Sequence, residues 1–272
     1  MKVLVGSPIR QKPEILKYFL EFLTYLEYFE NLDFFFIDDN VEEASKNLLE
    51  NFRNKTDRVI LEKSWYGSND EYKCDDITHH WTDNLIWKVA DFKDRIIDYA
   101  REKNYDYLFF VDSDLLLYPQ TIKHLISTGK DIISEVFWTK WKPTDSMEYP
   151  QVWLSDQYNL FEVKYVNAPE EIKSKKALKF IKKLKKKGIY KVGGLGACTL
   201  ISKKALEKGV SFKPLYNLSL WGEDRHFCVR AVALGFELFA STYYPPLHLY
   251  RGEDLKKVND FRRKVLEKKE GH

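Results

Sequence analysis

The residues Tyr107-Leu108-Phe109-Phe110-Val111 form an unbroken apolar run that ends abruptly in Asp112-Ser113-Asp114. Such a run, bounded by polar segments, suits a strand covered on both faces, as in parallel sheets packed between helices. Carboxylates just past that strand stand at the sheet edge where open α/β folds bind ligands. Alternation along an extended segment predicts that both point to the same side. There they repel, by about 4 kcal/mol at about 4 Å and an effective dielectric near 20. Either one acid keeps its proton, or a divalent cation lies between them and offers its open positions to phosphate oxygens. A turn capped by Asp112, with Asp114 in solvent, is the reading that needs no ligand.

The flanking pattern fits an α/β chain. Val3-Leu4-Val5-Gly6 reads as a strand, Pro13 to about Tyr28 as a helix, Asp33 to Ile37 as a strand, Val41 to Phe52 as a helix and Arg58 to Leu61 as a strand. Between Asn84 and Glu102, Leu85, Ile86, Val89, Ile96, Ile97 and Ala100 recur at helical spacing, so one helix face lies on the sheet. The segment Lys63 to Thr82 is polar and aromatic, with His79 and His80 read as loop residues. Beyond the acids the pattern predicts a helix near Pro119 to Ser127, strands at Asp131 to Ser134 and Ala197 to Ile201, and helices at Lys203 to Lys208, Asp224 to Leu234 and Leu255 to Leu266. The aromatic segments around Val152-Trp153 and Asn159 to Tyr165 read as a smaller mixed sheet.

A chain of 272 residues can bury the core of one large domain. Its 44 basic and 41 acidic residues leave a formal charge of +3, which offers nothing to attract nucleic acid. Cys74, Cys198 and Cys228 are three in number and far apart, so neither a disulfide framework nor a zinc site is expected. With no leader-like start and no apolar run long enough to span a bilayer, the expected location is the cytoplasm. The Lys-rich segment 173–191 carries Ala177, Leu178, Ile181 and Leu184 on a rough stripe. It reads as a solvated basic helix, with peripheral membrane or anionic-acceptor contact as the alternative.

Glu223 and Asp224 precede an amphipathic helix; Asp224 is either its N-cap or an ionised carboxylate available as a base. Gly193-Gly194-Leu195-Gly196-Ala197 is either a plain β-turn or a close backbone approach to a ligand. Trp138, Trp141 and Trp221 are candidates either for the core or for stacking on the apolar face of a ligand ring.

The stretch Tyr105 to Asp114, preceded by a helix carrying Lys93 and Arg95, resembles the DxD region of GT-A fold glycosyltransferases, particularly those of family 2. Gly6-Ser7-Pro8-Ile9-Arg10 is similar to the first nucleotide-binding loop of that family, Asp38-Asp39 to its second-strand acid and Trp221-Gly222-Glu223-Asp224 to its acceptor-side motif. His248 stands where many such enzymes place a third metal ligand; Lys93-Asp94-Arg95 is spelled differently in many of them.

The resemblance implies a single GT-A domain over 1–272, with a Rossmann-like, mainly parallel central sheet flanked by helices and a smaller mixed sheet on the acceptor side. It implies a nucleotide-sugar half over 1–115, an acceptor half over 116–253 and a C-terminal helix over 254–272. Pro8, Arg10, Asp38, Asp39, Lys93, Arg95, Asp112, Ser113 and Gly194 would contact the donor, a UDP-sugar or else a GDP-sugar. Asp112, Asp114 and His248 would hold Mn²⁺ or Mg²⁺. Asp224 would be the base and Glu223 a hydroxyl ligand, in an inverting transfer to a saccharide, glycolipid or other hydroxyl acceptor. The rival readings are a nucleotidyltransferase that makes nucleotide sugars and a non-catalytic sugar-binding module.

Overall fold

The computed structural model describes residues 1–67 and 82–270, together with the short backbone strand pair Lys73–Cys74 and His79–His80. Eight strands form the main sheet: β1 (Val3–Ile9), β2 (Leu32–Asp38), β3 (Val59–Lys63), β4 (Tyr107–Phe110), β5 (Ile132–Glu135), β6 (Ile189–Val192), β7 (Thr199–Ser202) and β8 (Leu238–Ser241). Their order is β6-β8-β5-β7-β4-β1-β2-β3. β4, β1, β2 and β3 run parallel, as do β8 and β5; β7 lies antiparallel between β4 and β5, and β6 is an antiparallel edge.

Alternation along the strands builds two cores. Leu4, Phe35, Ile37, Leu108 and Phe110 face Ile96, Ile97 and Ala100 of α3 (Asp83–Glu102) and Phe227 of α7 (Glu223–Ala233). Val3, Val5, Phe34, Phe36 and Phe109 point the opposite way, onto Leu16 and Phe19 of α1 (Pro13–Leu23) and Leu49 and Phe52 of α2 (Glu43–Arg53). The strand before the two acids is thus covered on both faces. Pro13 opens α1 where a missing N–H costs nothing, and the Thr82 hydroxyl caps α3 by accepting from Leu85 N at 3.3 Å.

The second half departs from expectation in three places. The aromatic segments do not make one mixed sheet: Val152–Trp153 pairs antiparallel with Gly194–Leu195, Tyr149–Pro150 with Trp138–Thr139, and Val163–Tyr165 is a 3-10 turn. The basic segment splits into α5 (Glu170–Leu184) and the edge strand β6. β8, in the middle of the sheet, was not anticipated at all. The helices α4 (Thr121–Ser127) and α6 (Lys203–Glu207) fall as expected, and a 3-10 segment at Gly252–Lys257 leads into α8 (Val258–Glu270). Phe261 of α8 stacks on Phe22 of α1. At the end of β5 the buried Glu135 accepts a hydrogen bond from Tyr244 N at 2.6 Å. Among the described residues no helix is long and apolar enough to cross a membrane.

Candidate active site

A cavity of about 630 Å³ opens past the ends of β1, β2 and β4, lined in part by Pro8, Arg10, Asp39, Asp112, Ser113 and Asp114. Three parallel strands therefore deliver polar groups to one edge of the sheet. On the far wall stand Glu223 and Asp224, and His248 and the aromatic rings of Trp141, Trp153, Tyr158, Trp221 and Tyr250 complete the lining.

The two acids of the DxD do not follow strand alternation. β4 stops at Phe110, and the chain turns at Asp112, whose carbonyl accepts from Leu115 N at 3.1 Å. Both carboxylates still line the cavity, and the Asp114 charge is felt at Asp112. Asp112 lies in the field of the Lys93 ammonium, whereas Asp114 Oδ2 is 3.5 Å from His248 Nε2. Burial, only partly offset by Lys93, pushes the Asp112 carboxyl up to about 7, and the neighbouring acids Asp114, Asp224 and Glu223 push the same way. His248 arrives by backbone pairing: Leu247–His248 runs antiparallel to Leu115–Leu116, with His248 opposite Leu115. Its Nδ1 lies 2.9 Å from the Thr139 hydroxyl, which fixes the ring.

Lys93 is the hinge of the opposite wall. Its Nζ donates to Glu223 Oε1 at 2.9 Å and to Asp224 Oδ1 at 3.0 Å. Burial works against the ammonium, but Asp224, Glu223 and Asp112 together hold its pKa well above the ordinary value. Desolvation pushes Asp224 up to about 6 against the pull of Lys93. Helix α7 begins at Glu223 with Gly222 as its N-cap, so Asp224 does not cap it; both acids stand in the first turn, at the positive end of the helix dipole. Gly222 has φ of +108°, and a side chain there would meet the Tyr158 hydroxyl. Only glycine suits this entry to the helix.

Three residues expected at the donor lie elsewhere. Asp38 Oδ1 accepts from Asn40 N and Nδ2 at 3.0 and 2.7 Å and is spent on shaping the loop. Arg95 pairs with Glu62, with its Nε 3.0 Å from Glu62 Oε2. Gly194 packs on the Trp153 ring, and Gly196 lines the cavity in its place. Helical spacing puts Lys93 and Arg95 on different faces of α3, so only one could reach the cavity. Of the tryptophans, Trp141 and Trp221 line it and Trp138 does not.

Other site residues went unnoticed in the sequence. Lys88, fully buried on α3, donates to Asp39 Oδ2 at 2.8 Å, and Arg10 reaches the same oxygen at 3.4 Å. The signal was a lysine at Leu85+3 and Phe92−4, inside the apolar stripe. His226 accepts from Leu215 N at Nδ1 and lies 2.8 Å from Leu220 O through Nε2, so it holds the loop that leads to Trp221. The Trp221 indole in turn donates to Asp83 at 2.7 Å. The side chains of His79 and His80 lie outside the described residues.

Among the described residues no three His, Cys, Asp or Glu side chains converge as a ready metal-ligand group. The expected trio of Asp112, Asp114 and His248 is therefore not preassembled, because Lys93 already compensates Asp112. Asp114 and His248 still present a carboxylate oxygen and an imidazole nitrogen side by side, a donor pair that suits a divalent ion.

The model of the glycosyltransferase family 25 N-terminal domain matches residues 1–224. A glycosyltransferase 25 family member of Aedes aegypti is 28% identical over 137 residues, which are 49% of this chain and 23% of that protein. The chain thus spans about a quarter of the length of the curated relative it matches. Among solved structures, S. aureus TarS superposes with a TM-score of 0.55 at 13% identity, covering 90% of this chain and 36% of that one. A mannosyltransferase from Pyrobaculum calidifontis, in complex with GDP-Man and Mn²⁺, gives 0.53 at 9% identity, covering 89% and 55%. At such identities the likeness shows the fold, which is of the GT-A type. The matching family is 25 where the motifs resembled family 2; a strand followed by DxD is too short a pattern to separate families that share it.

Proposed function

Because the chain belongs to glycosyltransferase family 25, we propose that it transfers a sugar from a nucleotide-diphosphate donor to a hydroxyl acceptor, with a divalent cation, and with inversion. The observation that carries this reading is one cavity with Asp114 and His248 on one wall and the Lys93–Glu223–Asp224 cluster on the other. Residues 1–115 form the donor half and residues 116–253 the acceptor half.

Asp114, His248 and Asp112 would hold the cation, which when bound neutralises charge on the diphosphate. Pro8, Arg10 and Ser113 line the donor side with Asp39, whose carboxylate is already neutralised by Lys88 and Arg10. Asp224 Oδ1 is held by Lys93, while Oδ2 is turned toward Gly196 in the cavity wall. That oxygen takes the acceptor hydroxyl proton as the hydroxyl oxygen bonds to the anomeric carbon. The bond from that carbon to the phosphate oxygen breaks, and its electron pair leaves with the diphosphate. Glu223 keeps Lys93 charged and orients it. The exposed faces of Trp141 and Trp221 offer apolar contact to a pyranose.

Family membership favours sugar transfer over the nucleotidyltransferase reading. The presence of Asp112, Asp114, Asp224 and His248 in one cavity favours catalysis over a binding module. UDP is the donor base we favour, with GDP as the alternative. Titration calorimetry with UDP, GDP and their sugars, with and without Mn²⁺, tests the proposal. Cation-dependent binding is expected, and no nucleotide binding under any condition would refute it.

A further inference from the structure

Helix α5 carries a face that the transfer chemistry does not use. Phe180, Ile181 and Leu184 turn inward, whereas Lys175, Lys179 and Lys182, and Lys186 just past the helix end, are exposed and form no ion pair among the described residues. Helical spacing places Ile172 and Leu178 on this same outward arc, and both are exposed. Just before the helix, Val163 and Val166 are exposed as well. The acids of the helix, Glu170 and Glu171, are confined to its first turn.

We propose that this face seats the protein on an anionic lipid bilayer. Lysines alone would serve any polyanion. Exposed aliphatic side chains set between them favour an interface with a hydrocarbon layer beneath charged headgroups, where lysine stems extend outward while the apolar tips enter. A purely polyanionic partner gains nothing from Ile172 and Leu178. The position of the helix adds a consequence that rests on the proposed transferase reading. α5 packs against Tyr149–Pro150, which line the cavity, and Lys185 Nζ lies 5.9 Å from the Trp138 ring centre. A bilayer on α5 therefore brings its headgroups beside the acceptor side of the cavity, which suits an acceptor anchored in lipid.

Flotation of the full chain with vesicles tests the seating separately from the chemistry. The protein should float with vesicles of phosphatidylcholine and phosphatidylserine, stay behind with phosphatidylcholine alone, and detach as salt is raised. Each Lys→Gln change at 175, 179 and 182 should lower partition about fivefold, and Leu178→Gln about tenfold, with nucleotide binding unchanged. Equal flotation with neutral vesicles, or none with anionic ones, would overturn the proposal. So would undiminished flotation of the lysine variants. If Leu178→Gln floats like the parent while the lysine variants fail, the attachment is purely electrostatic and the proposed seating with apolar tips in the bilayer falls. Loss of nucleotide binding in the parent protein would speak against the transferase reading and leave the flotation result standing.

Discussion

Lys93 Nζ lies 3.0 Å from Asp224 Oδ1 and so ties α3 to the first turn of α7. The Lys93 ammonium and the Asp224 carboxylate are bound as a unit, with Glu223 as the third member. Replacing Lys93 with Gln should leave Asp224, Glu223 and the nearby Asp112 without compensation. The expected loss is about 3–5 kcal/mol at pH 8, with less at pH 5, where Asp112 and Asp224 can take up protons. Thermal melts at the two pH values measure this.

A base must be ionised to accept a proton. With Asp224 at about 6 in the free protein, kcat/KM should fall about tenfold per pH unit below about 6. Asp224→Asn should lower kcat by roughly 10²–10⁴-fold and leave nucleotide affinity unchanged in calorimetry. Equal loss of both would make it a structural residue.

Asp114 and His248 are adjacent across two short strands. His248→Ala should weaken Mn²⁺-dependent nucleotide binding by at least about tenfold and shrink any preference for Mn²⁺ over Mg²⁺, because an imidazole nitrogen suits the former better. Metal titrations followed by calorimetry read out both effects.

Burial pushes Glu135 up to about 7 from an ordinary 4.5, against the pull of hydrogen bonds from Ser241 and the backbone of Tyr244 and Tyr243. A carboxyl with a raised folded pKa stabilises the fold fully below its ordinary value and loses that contribution as pH climbs through about 7. Glu135→Gln keeps an acceptor for Tyr244 N without the charge. The variant should match the parent near pH 4 and exceed it by on the order of 2 kcal/mol at pH 8, as read from denaturant curves.

Gly222→Ala should cost about 1–3 kcal/mol, because its positive φ and the nearby Tyr158 hydroxyl both resist a side chain. Activity should fall further than stability does, since the shift reaches Glu223 and Asp224 directly. Melting curves set beside turnover separate the two.

Much of this was readable beforehand because local pattern sufficed. The apolar run before Asp112 announced a buried strand, and the stripe from Leu85 to Ala100 announced its covering helix. What stayed hidden depends on partners distant in the chain. β8 is four residues without strong alternation, defined by its pairing with β5 and β6. β6 lies in a lysine-rich stretch, and as an edge strand it leaves Ile189 and Lys191 exposed, so it carried no burial signature. The different partners of Asp112 and Asp114 follow from a turn and from a histidine supplied by a far strand, neither of which is a property of the DxD itself.

The pairing of Leu247–His248 with Leu115–Leu116 sets an order of events during synthesis. A ribosome releases the first half of the sheet long before the imidazole emerges, so a nascent chain could settle its early strands while Asp114 still lacks its partner from the late segment. A chain cut short before residue 247 would keep Asp114 but lose the imidazole that lies beside it.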